Sequence, residues 1–208
     1  MPDWLTADIT AIDSYTWNFL FITAFALLAA EFVKPLAFLL HELGHAAAAL
    51  LVAPGSVEVI VGSPWSAVEI DFERLKIRFS PLPIWFSELI RADSTRPRSE
   101  KRRAARIAGI CKWDPTGASP GGKMAVYLAG PAVTSLLIVM FVWTAIACAA
   151  IPAISAIWVI SAFMATLSLL AGFDPRPGRR TSQKFAGDLV RDFPLAIAAY
   201  REWRAESR

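Results

Sequence analysis

Charge is scarce in this sequence of 208 residues: only 19% are Asp, Glu, Lys or Arg, against about 25% in ordinary soluble domains. That shortfall, with 55% hydrophobic residues and a mean hydropathy of +0.45, excludes a conventional water-facing surface and implies a membrane protein. Cysteine is nearly absent too. The two present, Cys111 and Cys148, stand in a basic segment and an apolar run, which argues against a disulfide framework or a Cys-type zinc cluster. The first sixteen positions lack Lys and Arg and carry Asp3, Asp8 and Asp13 instead. This is the reverse of the charged start of a signal peptide, so no cleaved leader is expected. No block repeats at a fixed period, and the chain is read as one membrane-embedded domain over residues 1–208. The net charge of +3 arises from basic segments beside apolar ones, which suits the lipid bilayer and its anionic headgroups rather than nucleic acid.

What is present falls into four regions. From Met124 to Phe173 no residue is charged, a run far longer than the roughly 20 residues that cross a hydrocarbon core. Region 124–173 is therefore expected to be a helical hairpin, with spans at 124–148 and 153–173 and a turn at Ala149–Ala153 around Pro152. Region 17–53 is also apolar, but Glu31, Lys34 and Pro35 interrupt it; it makes either one long kinked helix or two spans. Region 54–123 changes period. Val57–Val61, Ala67–Phe72 and Leu75–Phe79 alternate apolar with polar residues between Gly62, Pro64 and Pro81, the pattern of β-strands. The basic stretch from Arg91 to Lys123 is expected to be a solvated loop or short surface helix, with the Lys101–Arg106 cluster a topology signal. Region 174–208 turns polar and is expected to form an amphipathic helix along the membrane surface, capped near Thr181 or Ser182.

The fold class is thus a mainly α membrane protein: about three transmembrane helices, with four as the alternative, a small cytoplasmic-side β-rich segment and a C-terminal amphipathic helix. Lys and Arg number twelve in residues 54–123, eight after Asp174 and none at the N-terminus. The positive-inside bias places the middle segment and the C-terminus in the cytoplasm and the N-terminus outside, which requires an odd number of crossings.

His41-Glu42-Leu43-Gly44-His45 matches the H-E-x-x-H pattern. Positions i and i+4 share one face of a helix, so two imidazoles can bind one Zn²⁺ while the intervening Glu reaches a water as general base. Chance supplies such a match in on the order of one chain in a hundred or two of this length, so the setting must add weight. It does. These are the only two histidines, and they share an apolar helix with a carboxylate, where ionisable groups are costly and usually functional. The bland alternative is that all three merely hydrogen-bond within a bundle.

At these residues the chain resembles the site-2 protease family of intramembrane zinc metalloproteases. In that family the motif lies in an apolar helix followed by a small β-rich segment; here Gly55–Ser63 follows, and Leu82-Pro83 stands where the family's sheet ends. Leu128-Ala129-Gly130-Pro131-Ala132 resembles the family's Ala-Gly-Pro segment at the start of the next span; by itself, Gly130-Pro131 also fits an ordinary small-residue helix contact. The resemblance implies zinc as cofactor, His41 and His45 as ligands and Glu42 as general base. It also implies a third ligand, an Asp in a Leu-Asp-Gly sequence on a later span, and here the chain departs from the pattern. Asp174 and Asp188 are the candidates, with Asp174 favoured because three crossings bring the histidines close to the inner end of the last span. A further alignment sets Gln183 at that position and implies a weakened or lost metal site. The implied activity is hydrolysis of a peptide bond in or near a transmembrane segment of a membrane protein substrate. The rivals are an inactive relative with a binding or regulatory role and a zinc-dependent membrane enzyme acting on another bond.

Overall fold

The computed structural model describes residues 3–62, 67–83, 109–172 and 192–207, with the backbone alone at 3–14, 171 and 172. The protein is mostly helical. Helix α1, Asp3–Val52, runs for 50 residues with Pro35 inside it, about 75 Å at 1.5 Å per residue. Region 17–53 is thus part of one helix rather than two spans. A proline costs a helix one hydrogen bond and crowds the preceding turn, yet α1 continues on both sides.

Helix α2, Pro120–Ala147, starts where local chemistry dictates: the Ser119 side chain caps it by accepting from Gly122 N at 3.1 Å, and Pro120 follows at the first helical position. Proline loses nothing there, since that N–H has no partner inside a helix. After a turn of four residues helix α3, Pro152–Gly172, returns beside α2. Both bounds lie within a few residues of the expected 124–148 and 153–173. The last helix, α4, covers Asp192–Glu206; its expected start near Thr181 or Ser182 lies outside the described residues, as does the Lys101–Arg106 cluster.

Three helical stretches, Tyr15–Val52, Pro120–Ala147 and Pro152–Leu170, are long and apolar enough to cross a membrane. Their outward faces fit lipid. Trp17, Phe21 and Trp143 are each at least 70% exposed, an arrangement that water penalises and hydrocarbon does not. Inside, α1, α2 and α3 meet around Leu137, Phe141 and Ala162, with Phe141 stacked on Trp158 at 5.5 Å between ring centroids. Ser155 Oγ donates to Ala145 O across the α2–α3 turn at 2.9 Å, satisfying a hydroxyl that lipid cannot.

Between α1 and α2 lies a four-stranded mixed sheet in the order β2-β3-β1-β4. Its strands are β1 (Val57–Val61), β2 (Val68–Asp71), β3 (Leu75–Phe79) and β4 (Gly109–Lys112). β1 pairs with β3 in parallel and with β4 antiparallel, placing Val59 opposite Ile77 on one side and Cys111 on the other. Alternation turns Val57, Val59 and Val61 toward Ala46 and Ala49 of α1 and Val126 of α2. Gly62 ends β1 at φ +81°, where a side chain would meet Ser80. One expectation is corrected. Gly109–Lys112 is a strand, where a loop or short surface helix was expected, because pairing with β1 supplies the order that four residues, Gly-Ile-Cys-Lys, do not encode alone.

Candidate metal centre

His41 and His45 stand one turn apart on α1, and α2 holds both rings from behind. His45 Nδ1 lies 2.6 Å from Val126 O, and His41 Nδ1 lies 2.7 Å from Thr134 Oγ1. A carbonyl oxygen only accepts, so His45 Nδ1 donates, and in the neutral ring this leaves Nε2 to present a lone pair. The two Nε2 atoms face each other at 3.2 Å. Opposite them stands Asp192, the first residue of α4, with Oδ2 3.3 Å from His41 Nε2 and Oδ1 3.3 Å from His45 Nε2.

These atoms suit a metal ion in two respects. One donor atom from each of the three residues lies within 4.8 Å of the others. Donors about 2.0–2.1 Å from one tetrahedral zinc stand roughly 3.3–3.4 Å apart; the two nitrogens are 3.2 Å apart, and each has a different oxygen of Asp192 at 3.3 Å. The chemistry agrees as well, since two neutral imidazoles and a carboxylate converging on one point suit a bound cation. The backing of each ring through Nδ1 is the usual way in which a ligating histidine is oriented. Burial opposes the charge on Asp192, but hydrogen bonds and charge from His41 and His45 outweigh it and hold its carboxyl down to about 2. The group is therefore an anion at neutral pH.

Glu42 lies between the two histidines in sequence and lines the same end of one cavity with them. It is buried, lies against Gly109 and accepts from the Cys111 backbone N–H of β4. Burial, reinforced by the charges of Glu42 and Asp192, pushes the Cys111 thiol up to about 12. Cys111 is thus a neutral thiol rather than a thiolate ligand.

Three glycines make this packing possible. A Cβ on Gly109 would come within 2.6 Å of Glu42 Oε1, and one on Gly44 within 2.8 Å of Val133 Cγ2 and 2.9 Å of Ala129 O. A Cβ on Gly130 would fall inside the contact distance of the His45 ring. Gly130-Pro131, noticed in the sequence as part of an Ala-Gly-Pro segment, is thus where α2 makes room for a histidine.

A cavity of about 680 Å³ opens from this centre. His41, Glu42, His45 and Asp192 line one end, and the wall then follows α1 through Ala37 and Val33 to Ala30, about 16 Å along the helix. Leu137 and Phe141 of α2 and Met164 and Ala165 of α3 complete an apolar trough.

His41, Glu42 and His45 are therefore gathered as the motif implies. Asp174, Asp188 and Gln183, the positions considered for a third ligand, lie outside the described residues. The carboxylate beside the histidines is Asp192, which the sequence reading did not single out. Its only local signal is an acid two residues before Pro194 at a helix start, and the tail holds other acids in comparable settings. No family model, curated protein or solved structure matches the chain. Its class rests on its own features: three membrane-length helices, a small sheet and a His-His-Asp group able to hold a metal ion.

Proposed function

We propose that the protein is an intramembrane zinc metalloprotease of the site-2 protease type, hydrolysing a peptide bond in or beside a transmembrane segment of a membrane protein. The observation that carries this reading is the convergence of His41, His45 and Asp192 beside Glu42, at one end of an apolar trough between membrane-length helices. His41, His45 and Asp192 would hold the zinc ion. When bound, zinc supplies Lewis acidity that polarises a carbonyl and makes a water more acidic. Glu42 takes the proton of the attacking water and returns it to the leaving amine. The trough shelters the apolar flank of the substrate. Beside it, β4 is the edge strand nearest Glu42, and an unwound substrate adds to that edge through main-chain hydrogen bonds. In this reading the N-terminus lies outside, and the sheet, α4 and the C-terminus lie on the cytoplasmic side, following the distribution of Lys and Arg.

Metal analysis with a cleavage assay tests the proposal. Purified protein should carry about one zinc per chain, and His45→Ala should lose it. Glu42→Gln should keep the zinc and lower peptide-bond cleavage by roughly 10³-fold or more, within the range of general-base contributions. Undiminished proteolysis by Glu42→Gln overturns the mechanism. Absence of zinc from the wild type favours the inactive binding relative. Zinc without peptide cleavage favours the enzyme of another bond.

A further inference from the structure

The donors reach the centre from two kinds of element. His41 and His45 lie well inside the 50-residue helix α1, and α2 backs both rings. Asp192 instead opens α4, a helix of 15 residues outside the membrane-length helices that lies along α2. α4 packs along α2 about as extensively as α1 packs against α3. Ala196 and Ala199 are buried to 6% and 4% exposure, and Lys123 Nζ of α2 pairs with Glu202 at 3.1 and 3.4 Å. Glu202 is ten residues beyond Asp192, so this pair acts about 15 Å along the helix from the carboxylate. Phe193 and Leu195, next to Asp192, also line the trough, so the seat that positions the carboxylate closes the cavity as well.

We propose that α4 is a dockable carrier of the third ligand: its seating on α2 through Ala196 and Ala199, held in register by Lys123 and Glu202, sets the metal affinity of the site. Lys123 and Glu202 are positioning residues, acting through the helix and touching no donor atom. This inference rests on the reading of His41, His45 and Asp192 as a zinc site. Its logic is linkage. A metal held by Asp192 requires α4 to be seated, so metal strengthens docking by the same factor by which docking strengthens metal binding. Whenever α4 is seated only part of the time, the apparent affinity falls by that fraction. A helix outside the spans is also open to control by anything that competes for α2 or for the face of α4, which a ligand inside a span is not.

The test uses the full chain in lipid nanodiscs, with zinc affinity read by chelator competition and α4 seating read by amide exchange at residues 195–205. Ala199→Arg cannot be seated in the same contact and should weaken zinc roughly 10²-fold, approaching Asp192→Ala, while α4 amides lose protection and those of α1 keep theirs. Lys123→Glu places like charges together and should weaken zinc roughly three- to tenfold. Adding Glu202→Lys should restore the affinity, a rescue that general destabilisation does not give. Zinc should slow exchange across α4 in the wild type and not in Asp192→Ala. Wild-type affinity in both Ala199→Arg and Lys123→Glu, with Asp192→Ala impaired, overturns the docking proposal and leaves the metal site standing. Equal zinc affinity in wild type and Asp192→Ala removes Asp192 from the site and overturns both.

Discussion

The two sides of the candidate metal centre are built on different principles. On the α1–α2 side, position is set by packing: at Gly44 and Gly130 the helices leave no room for a side chain, and Val126 O and Thr134 back the rings. On the α4 side, position is enforced by seating a short helix along α2, with Ala196 and Ala199 buried and Lys123 paired with Glu202. In the first arrangement the ring Nδ1 atoms have partners within the protein, which lipid would not supply. The second, in the docking proposal, depends on an equilibrium between a seated and an unseated helix. A metal centre with two immovable ligands and one conditional ligand retains its shape while its affinity remains adjustable, which a site contained wholly within spans does not offer.

The largest effect is expected where the packed side is broken outright. Gly130→Ala puts a methyl group into the His45 ring, and it should abolish zinc binding at concentrations that saturate the wild type and cost roughly 1–3 kcal/mol of stability; thermal unfolding with metal analysis checks both. Wild-type behaviour of this variant would mean that α1 and α2 are free to part, and the contrast between the two sides would disappear.

Next in size is the thiol between the two sides. With its pKa raised from 9.0 to about 12, Cys111 has far less thiolate at pH 8 than an ordinary cysteine, and its alkylation in a Cys148→Ser background should be roughly a hundred- to a thousandfold slower than that of a free thiol. The sign follows from the raised value: the neutral thiol's contribution to stability is complete below about pH 9 and is lost as pH rises toward 12. Asp192→Asn removes one of the acids behind the shift and should speed alkylation, so this rate reports the α4 side directly.

A smaller change is expected from Thr134→Val, which removes the hydroxyl behind His41. Zinc affinity should fall roughly 10- to 100-fold, as for other groups that orient a ligand from behind, while the amide protection of α4 stays that of the wild type at saturating zinc. The smallest concerns the sheet surface. Lys112→Ala removes an exposed ion pair with Glu58 at 3.0 Å, and stability should change by less than about 1 kcal/mol with zinc content unaltered.

Much of the architecture was legible because its causes are local. A charge-free run from Met124 to Phe173 has few solutions other than a pair of buried or lipid-facing helices, and Pro152 marks their turn. Val57–Val61, Ala67–Phe72 and Leu75–Phe79 announce strands through short alternating runs, and strands form at Val57–Val61, Val68–Asp71 and Leu75–Phe79. The strand at Gly109–Lys112 was not legible, since four residues with one polar end carry little period. Nor could Pro35 by itself distinguish a single helix from two spans, because proline permits either outcome when neighbours support the helix. At the site, the i, i+4 spacing already placed His41 and His45 together. The same spacing carries no information about a carboxylate some 150 residues later.

Sequence alone therefore determined the membrane-length helices, the strands β1, β2 and β3, and the shared face of His41 and His45, because each follows from a local pattern: a long apolar run, an alternation of two, or a spacing of four. Tertiary structure alone decided that Gly130 and Gly109 make room for His45 and Glu42, that β4 extends the sheet to Glu42, and that Asp192 comes to stand beside the two histidines. Those outcomes depend on which surfaces meet across long separations in the chain, and no local period encodes the seating of α4 on α2.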